Sequence, residues 1–301
     1  MRSFVNACNK WTYPRDFDPG LYSFLADGLT LNMIFLSAGL TLEAWIGQNA
    51  CQHRERFKRT IELLFEERNA DVVLLFQLGD HLNSLNGSSL GSSDLPEQAL
   101  TGLTDKVRIR RHGPYMVLIR KLSCIEQIVI RPKMIEFRDD SGPQAQMYIV
   151  AAIKLAGRPV GALQPGPQLW KSTLVAGLAH FQSKFRSEIE NQRAMVLLFR
   201  AVAASCVAIK NADHVVIGGD FNLDKATMER AMQDSAPWHT FITQNRLPGD
   251  WFVYKGCTRV VDLRIPVGRS YEDGPISAGP GCKVTHDVVS AQLTITRPSC
   301  P

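Results

Sequence analysis

The chain has 301 residues, 45% of them hydrophobic and 21% charged, which suits one large domain or two small ones around a buried core and excludes a disordered, collagen-like or coiled-coil chain. Thirty-four Lys and Arg against 29 Asp and Glu leave +5, compatible with a phosphate-bearing partner but too small for a protein that coats nucleic acid. Seven cysteines, an odd number with no CxxC pair, argue against a secreted disulfide scaffold and for reduced thiols.

Met1 to Trp11 lacks an apolar h-region, so no ordinary signal peptide opens the chain, and an intracellular setting, cytoplasmic or nuclear, is expected. Leu29 to Gly47 is too interrupted by Asn32, Glu43 and hydroxyls for a membrane span and reads as a buried strand plus a loop. Further β-branched and Leu-rich runs predict strands at Asp71 to Phe76, Tyr115 to Ile119, Glu126 to Phe137, Met147 to Lys154, Val215 to Gly218, Arg259 to Arg264 and Val288 to Ile295. Arg54 to Asn69 places Phe57, Ile61, Leu64 and Phe65 on one face and predicts a helix lying on a sheet. Trp170 to Lys210 reads as one or two buried helices, and Lys225 to Met232 as another. Loops fall at 83–98, 157–168 and 268–281. Strands outnumber helices without regular β-α-β alternation. The expected class is therefore α/β (α+β), a four-layer αββα sandwich of two packed mixed sheets flanked by helices, occupying residues 29–296 between a 1–28 extension and a 297–301 tail.

The most informative segment is His214-Val-Val-Ile-Gly-Gly-Asp220-Phe-Asn222-Leu-Asp224. An apolar strand ends in a glycine pair and presents a carboxylate and an amide at i and i+2, on one side of the chain. A second reading of Asp220 is a helix cap before Asp224. At Gly219 to Asn222 the chain resembles the endonuclease/exonuclease/phosphatase superfamily, whose G-D-x-N signature it matches. Other motifs follow in the family's order. Leu29-Thr-Leu-Asn32 looks like the first strand, whose Asn helps position metal and phosphate. Asp71 to Gln77 looks like the D-V-V-x-L-Q-E strand, Val261-Asp262-Leu263 like I-D-Y, and Val284-Thr285-His286 like the terminal S-D-H.

The resemblance implies a metal-dependent phosphoesterase. The motif Glu and Asp would ligate Mg²⁺, Asp220 would handle the attacking water, Asn222 would steady phosphoryl oxygens, and His286, oriented by Asp262, would bind phosphate. Asn32 and Gln77 are then the metal-proximal residues. Two departures stand out: Gln77 replaces the metal-binding Glu, and Thr285 replaces the Asp. The middle N-x-H motif, expected on or after Met147 to Lys154, has no His there, leaving Lys154 as the nearest cation; His112, His180 and His239 show no metal-ligand spacing and are assigned no site. Mg²⁺ is held by one or two carboxylates plus substrate phosphate, so neutral replacements imply weak Mg²⁺ binding. Two functions follow: a divergent phosphodiesterase acting on nucleic acid or a phosphoester small molecule, or an impaired relative that binds a phosphorylated ligand or a protein through the same cleft. The basic stretches Arg54, Arg56, Lys58, Arg59 and Lys106, Arg108, Arg110, Arg111 read either as a phosphate track or as solvated faces.

Overall fold

Gly28–Leu40 forms β1, the first of twelve strands that assort into two mixed six-stranded sheets. The computed structural model describes residues 28–40, 45, 47–78, 95–121, 125–139, 142–157, 170–180, 188–209, 212–233, 239–241, 250–255, 259–262 and 289–296. In chain order the other strands are β2 (Val72–Leu78), β3 (Val107–His112), β4 (Tyr115–Arg120), β5 (Ile125–Asp139), β6 (Gly142–Gly157), β7 (Trp170–His180), β8 (His214–Asp220), β9 (His239–Phe241), β10 (Asp250–Lys255), β11 (Arg259–Asp262) and β12 (Val289–Thr296). The first sheet runs β11-β12-β1-β2-β4-β3 and the second β5-β6-β7-β8-β10-β9. Among the described residues four α-helices accompany them: α1 (Ala50–Glu66), α2 (Leu95–Ala99), α3 (Glu188–Val207) and α4 (Lys225–Gln233).

Three apolar clusters define the expected αββα layering. Leu31, Met33, Phe35, Leu74, Phe76, Ile149, Leu174 and Leu178 meet between the sheets. Ile34, Val73 and Leu75, one residue out of phase, point the other way and bury Phe57, Ile61 and Leu64 of α1. Val175, Val215 and Ile217 cover Leu198, Phe199 and Val202 of α3 and Met228 of α4 on the far side. Period-2 alternation thus gives each central strand two apolar faces. Among the described residues no helix is long and apolar enough to cross a membrane.

The structure changes one element that matters for the site. Trp170 to Lys210 is not helical throughout: it opens with β7, and α3 starts only at Glu188. Leu174 through His180 are all buried, because β7 sits in the middle of the second sheet with apolar layers on both faces. Such a strand shows no alternation, and its apolar run mimics a buried helix. The basic run at Arg108, Arg110 and Arg111 is also a strand, β3, at the edge of the first sheet, where charged side chains discourage pairing with other chains.

Candidate active site

The strands β1 and β2 pair in parallel, with Ser37 level with Phe76, and the register shifts between Ser37 and Leu40. At that irregularity Gln77 has φ 59°, a left-handed conformation that costs a non-glycine residue roughly 1–2 kcal/mol. The consequence is local. Val73 and Leu75 face α1, so simple alternation would send Gln77 there as well. Instead Leu78 joins that layer, and Gln77 turns to the gap between the sheets. Its amide oxygen accepts from Ser37 Oγ, and Nε2 donates to His180 Nε2 at 2.7 Å. Accepting at Nε2 puts the proton of the neutral imidazole on Nδ1.

His180 ends β7 and is level with Asp220, which ends the parallel neighbour β8. Asp220 Oδ2 lies 3.9 Å from His180 Nε2, and both side chains are almost wholly buried. Phe76 covers the imidazole with a ring-to-ring distance of 5.8 Å. The glycine pair explains how two strand ends come so close. A Cβ on Gly219, at φ 137°, would fall 1.8 Å from the Ala179 carbonyl oxygen, and one on Gly218 would fall 2.3 Å from the Phe35 ring. Glycine is required at 219, and at 218 any side chain must displace the Phe35 ring.

Asp220 is not the helix cap. Its Oδ1 accepts the Asn222 backbone N–H at 2.9 Å, whereas Asp224 Oδ1 caps α4 by accepting the Thr227 N–H at 2.7 Å. Asn222 carries φ 50°, a conformation that Asn tolerates better than most residues. One end of the sandwich therefore gathers Ser37, Gln77, His180 and Asp220 from β1, β2, β7 and β8, and Asn222 follows two residues after Asp220.

No protein-family model matches the chain, and no curated protein matches it. Solved structures do. The human Nocturnin catalytic domain, solved with a bound sulfate anion, aligns at a TM-score of 0.51 and 11% identity, covering 89% of this chain and 96% of that one. Humanized D. rerio TDP2 aligns at 0.50 and 12% identity, covering 88% of this chain and 98% of that one. The chain has the endonuclease/exonuclease/phosphatase fold.

Two assignments from the sequence need correction on this fold. Asn32 does not reach the cleft. It precedes Ser37 by five residues in β1, about 16 Å at the rise of a strand, and sits at the opposite end of the sheet. There its Nδ2 donates to the Asn69 carbonyl at 3.0 Å, its Oδ1 accepts from Gln292 at 3.1 Å, and its backbone N–H donates to Asp71 Oδ2 at 2.9 Å. Asp71 is thereby a structural carboxylate, also 3.8 Å from Arg120 Nε. The residue beside Gln77 is Ser37. Nor is His180 isolated: it ends β7, the strand after Met147 to Lys154, beside Gln77 and Asp220, while Lys154 is exposed and pairs with Thr173 toward the far end of β7.

Asp262 ends β11 with Ala291 as its register partner. Thr285 and His286 lie outside the described residues.

The fold family implies Mg²⁺, and the residues present do not fit it. Gln77 has no charge to offer, and both ends of its amide are engaged, by Ser37 and by His180. Among the described residues no group of three or more His, Cys, Asp or Glu is placed to hold a metal. At this end of the sandwich the described residues offer a hard, strongly hydrated cation a single carboxylate, Asp220, which already faces His180, and otherwise neutral donors engaged with one another.

Proposed function

We propose that the cleft binds a phosphoester group, of nucleic acid or a related phosphoester, without recruiting a divalent ion, and that metal-dependent hydrolysis has been lost. The observation that carries this reading is the Gln77 amide, bound on one side by Ser37 and on the other to His180, at the position where the family has its metal-binding Glu. His180, between the Gln77 amide and Asp220 Oδ2 at 3.9 Å, offers its imidazole to a phosphoryl oxygen. Asn222 supplies a neutral donor to a phosphoryl oxygen. By the family resemblance a second phosphate contact falls to His286, which lies outside the described residues.

A second reading, a divergent phosphodiesterase, is favoured by Asp220 beside His180, a carboxylate and an imidazole able to share a proton. Binding separates either reading from no phosphoester function at all. A short 5′-phosphorylated oligodeoxynucleotide, titrated in EDTA, is expected to bind the wild type and to lose roughly 10- to 100-fold in affinity with His180→Ala, the worth of a charge-assisted hydrogen bond. Equal affinity in the two proteins overturns the assignment of His180. No binding by the wild type overturns the function.

A further inference from the structure

The phenol of Tyr115 stands between the two sheets directly behind His180. Tyr115 opens β4 and is 2% exposed. Its hydroxyl accepts the His180 backbone N–H at 3.1 Å and donates to the Met147 carbonyl at 2.6 Å. The pairing of β6 with β7 stops one step earlier, at Tyr148 opposite Ala179. Where the next rung would join Met147 to His180, the hydroxyl of a residue from the other sheet bridges the two strands instead. Beyond this point β6 pairs, among the described residues, with β5, and the β5–β6 hairpin continues past the strand end that carries His180.

We infer that Tyr115 is a positioning residue: by bridging His180 and Met147 it sets the backbone from which the imidazole reaches Gln77 and Asp220, and it anchors the base of the hairpin beside the cleft. The inference rests on the proposed phosphoester site for its functional consequence, though not for the bridge itself. Two features fit a positioning role. The hydroxyl is used as donor and as acceptor, so it is hydrogen-bonded in both senses within the core. It is also the only part of the tyrosine that phenylalanine would lack, and apolar core packing around the ring would survive its removal.

The test is Tyr115→Phe with two readouts. The first needs no ligand: the imidazole ¹⁵N signals of His180 in the folded protein, which report its tautomer and hydrogen-bond partners. They are expected to move, and the His180 amide proton to exchange faster. The second is affinity for the phosphorylated oligodeoxynucleotide, expected to fall about five- to tenfold in the wild-type background and not at all in the His180→Ala background. A merely structural tyrosine would lower affinity equally in both backgrounds, or leave the imidazole signals in place; either result overturns the inference. If the signals move while the wild type binds no phosphoester, the bridge stands and the proposed function fails. Should Tyr115→Phe not fold, 3-fluorotyrosine at position 115 retains the hydroxyl and strengthens its donation to Met147, and unmoved His180 signals in that protein likewise overturn the inference.

Discussion

Gln77 Nε2 stands 2.7 Å from His180 Nε2, so a neutral amide joins the end of one sheet to the end of the other. The contact depends on a left-handed backbone at Gln77, and the strand end that carries Asp220 depends on Gly219 against the Ala179 carbonyl, neither of which a strand adopts without cost. A metal carboxylate at position 77 would face the same imidazole with a negative charge. The difference between amide and carboxylate at this one position is therefore the difference between the two functional readings.

Repair of the missing charges follows from that contrast. Gln77→Glu with Thr285→Asp is expected to tighten Mg²⁺ binding by about 100-fold or more and to confer Mg²⁺-dependent cleavage of a generic phosphodiester, because ligand charge count tunes affinity over orders of magnitude. Ser37 is the hydroxyl that meets Gln77, and adding Ser37→Asn, which sets an amide there, should raise the rate further. Asp220→Ala in the repaired protein should remove the gain. Tightened Mg²⁺ binding without any cleavage would mean that the cleft is not organised for phosphoryl transfer.

The glycine pair gives a stability prediction. Gly219→Ala forces a Cβ against the Ala179 carbonyl and is expected to destabilise the protein by more than the ~1–3 kcal/mol typical of overpacking, with loss of the His180 and Asp220 alignment. Gly218→Ala meets the Phe35 ring, a side chain wedged edge-on against Phe252 with centroids 5.3 Å apart. Its cost should lie within that range, because a ring can shift where a carbonyl cannot. Urea unfolding of the two variants checks the order.

Cys206 predicts a pH dependence. Burial pushes its thiol up from 9.0 to about 12. The native state therefore keeps a proton that the unfolded chain releases from about pH 9, and the stability this contributes is present below that pH and lost as pH rises toward 12. The slope approaches about 1.4 kcal/mol per pH unit. Urea unfolding between pH 8 and 11 should show a shallower decline in Cys206→Ala than in the wild type, roughly by that slope over the upper part of the range. In the native protein a thiol reagent should modify exposed Cys51 and spare Cys206.

How far the sequence could be read depends on what each residue faces. Asp220 and Asn222 were legible because a short motif at a strand end carries its own geometry, glycines included. Gln77 was legible because it closes an apolar run with a polar residue. Asn32 misled because it matched the first-strand motif by residue type, while β1 runs on to Leu40 and Ser37 occupies the place beside Gln77. His180 was hidden by a strand buried on both faces, although Leu178-Ala179-His180 ends a run of β-branched and leucine residues just before a helix and the G-D-x-N strand. Tyr115 could not have been found: its partner His180 is 65 residues away and in the other sheet. The layer architecture, in contrast, followed from the number and spacing of the strands.

The most direct measurement is the affinity of the wild-type protein for the phosphorylated oligodeoxynucleotide in EDTA and in excess Mg²⁺, with Mg²⁺ alone titrated by calorimetry alongside. The account predicts oligonucleotide affinities equal within about twofold in the two buffers, after allowance for ionic strength, and Mg²⁺ binding in the millimolar range or weaker. A micromolar Mg²⁺ site, or oligonucleotide binding that requires the ion, would contradict it.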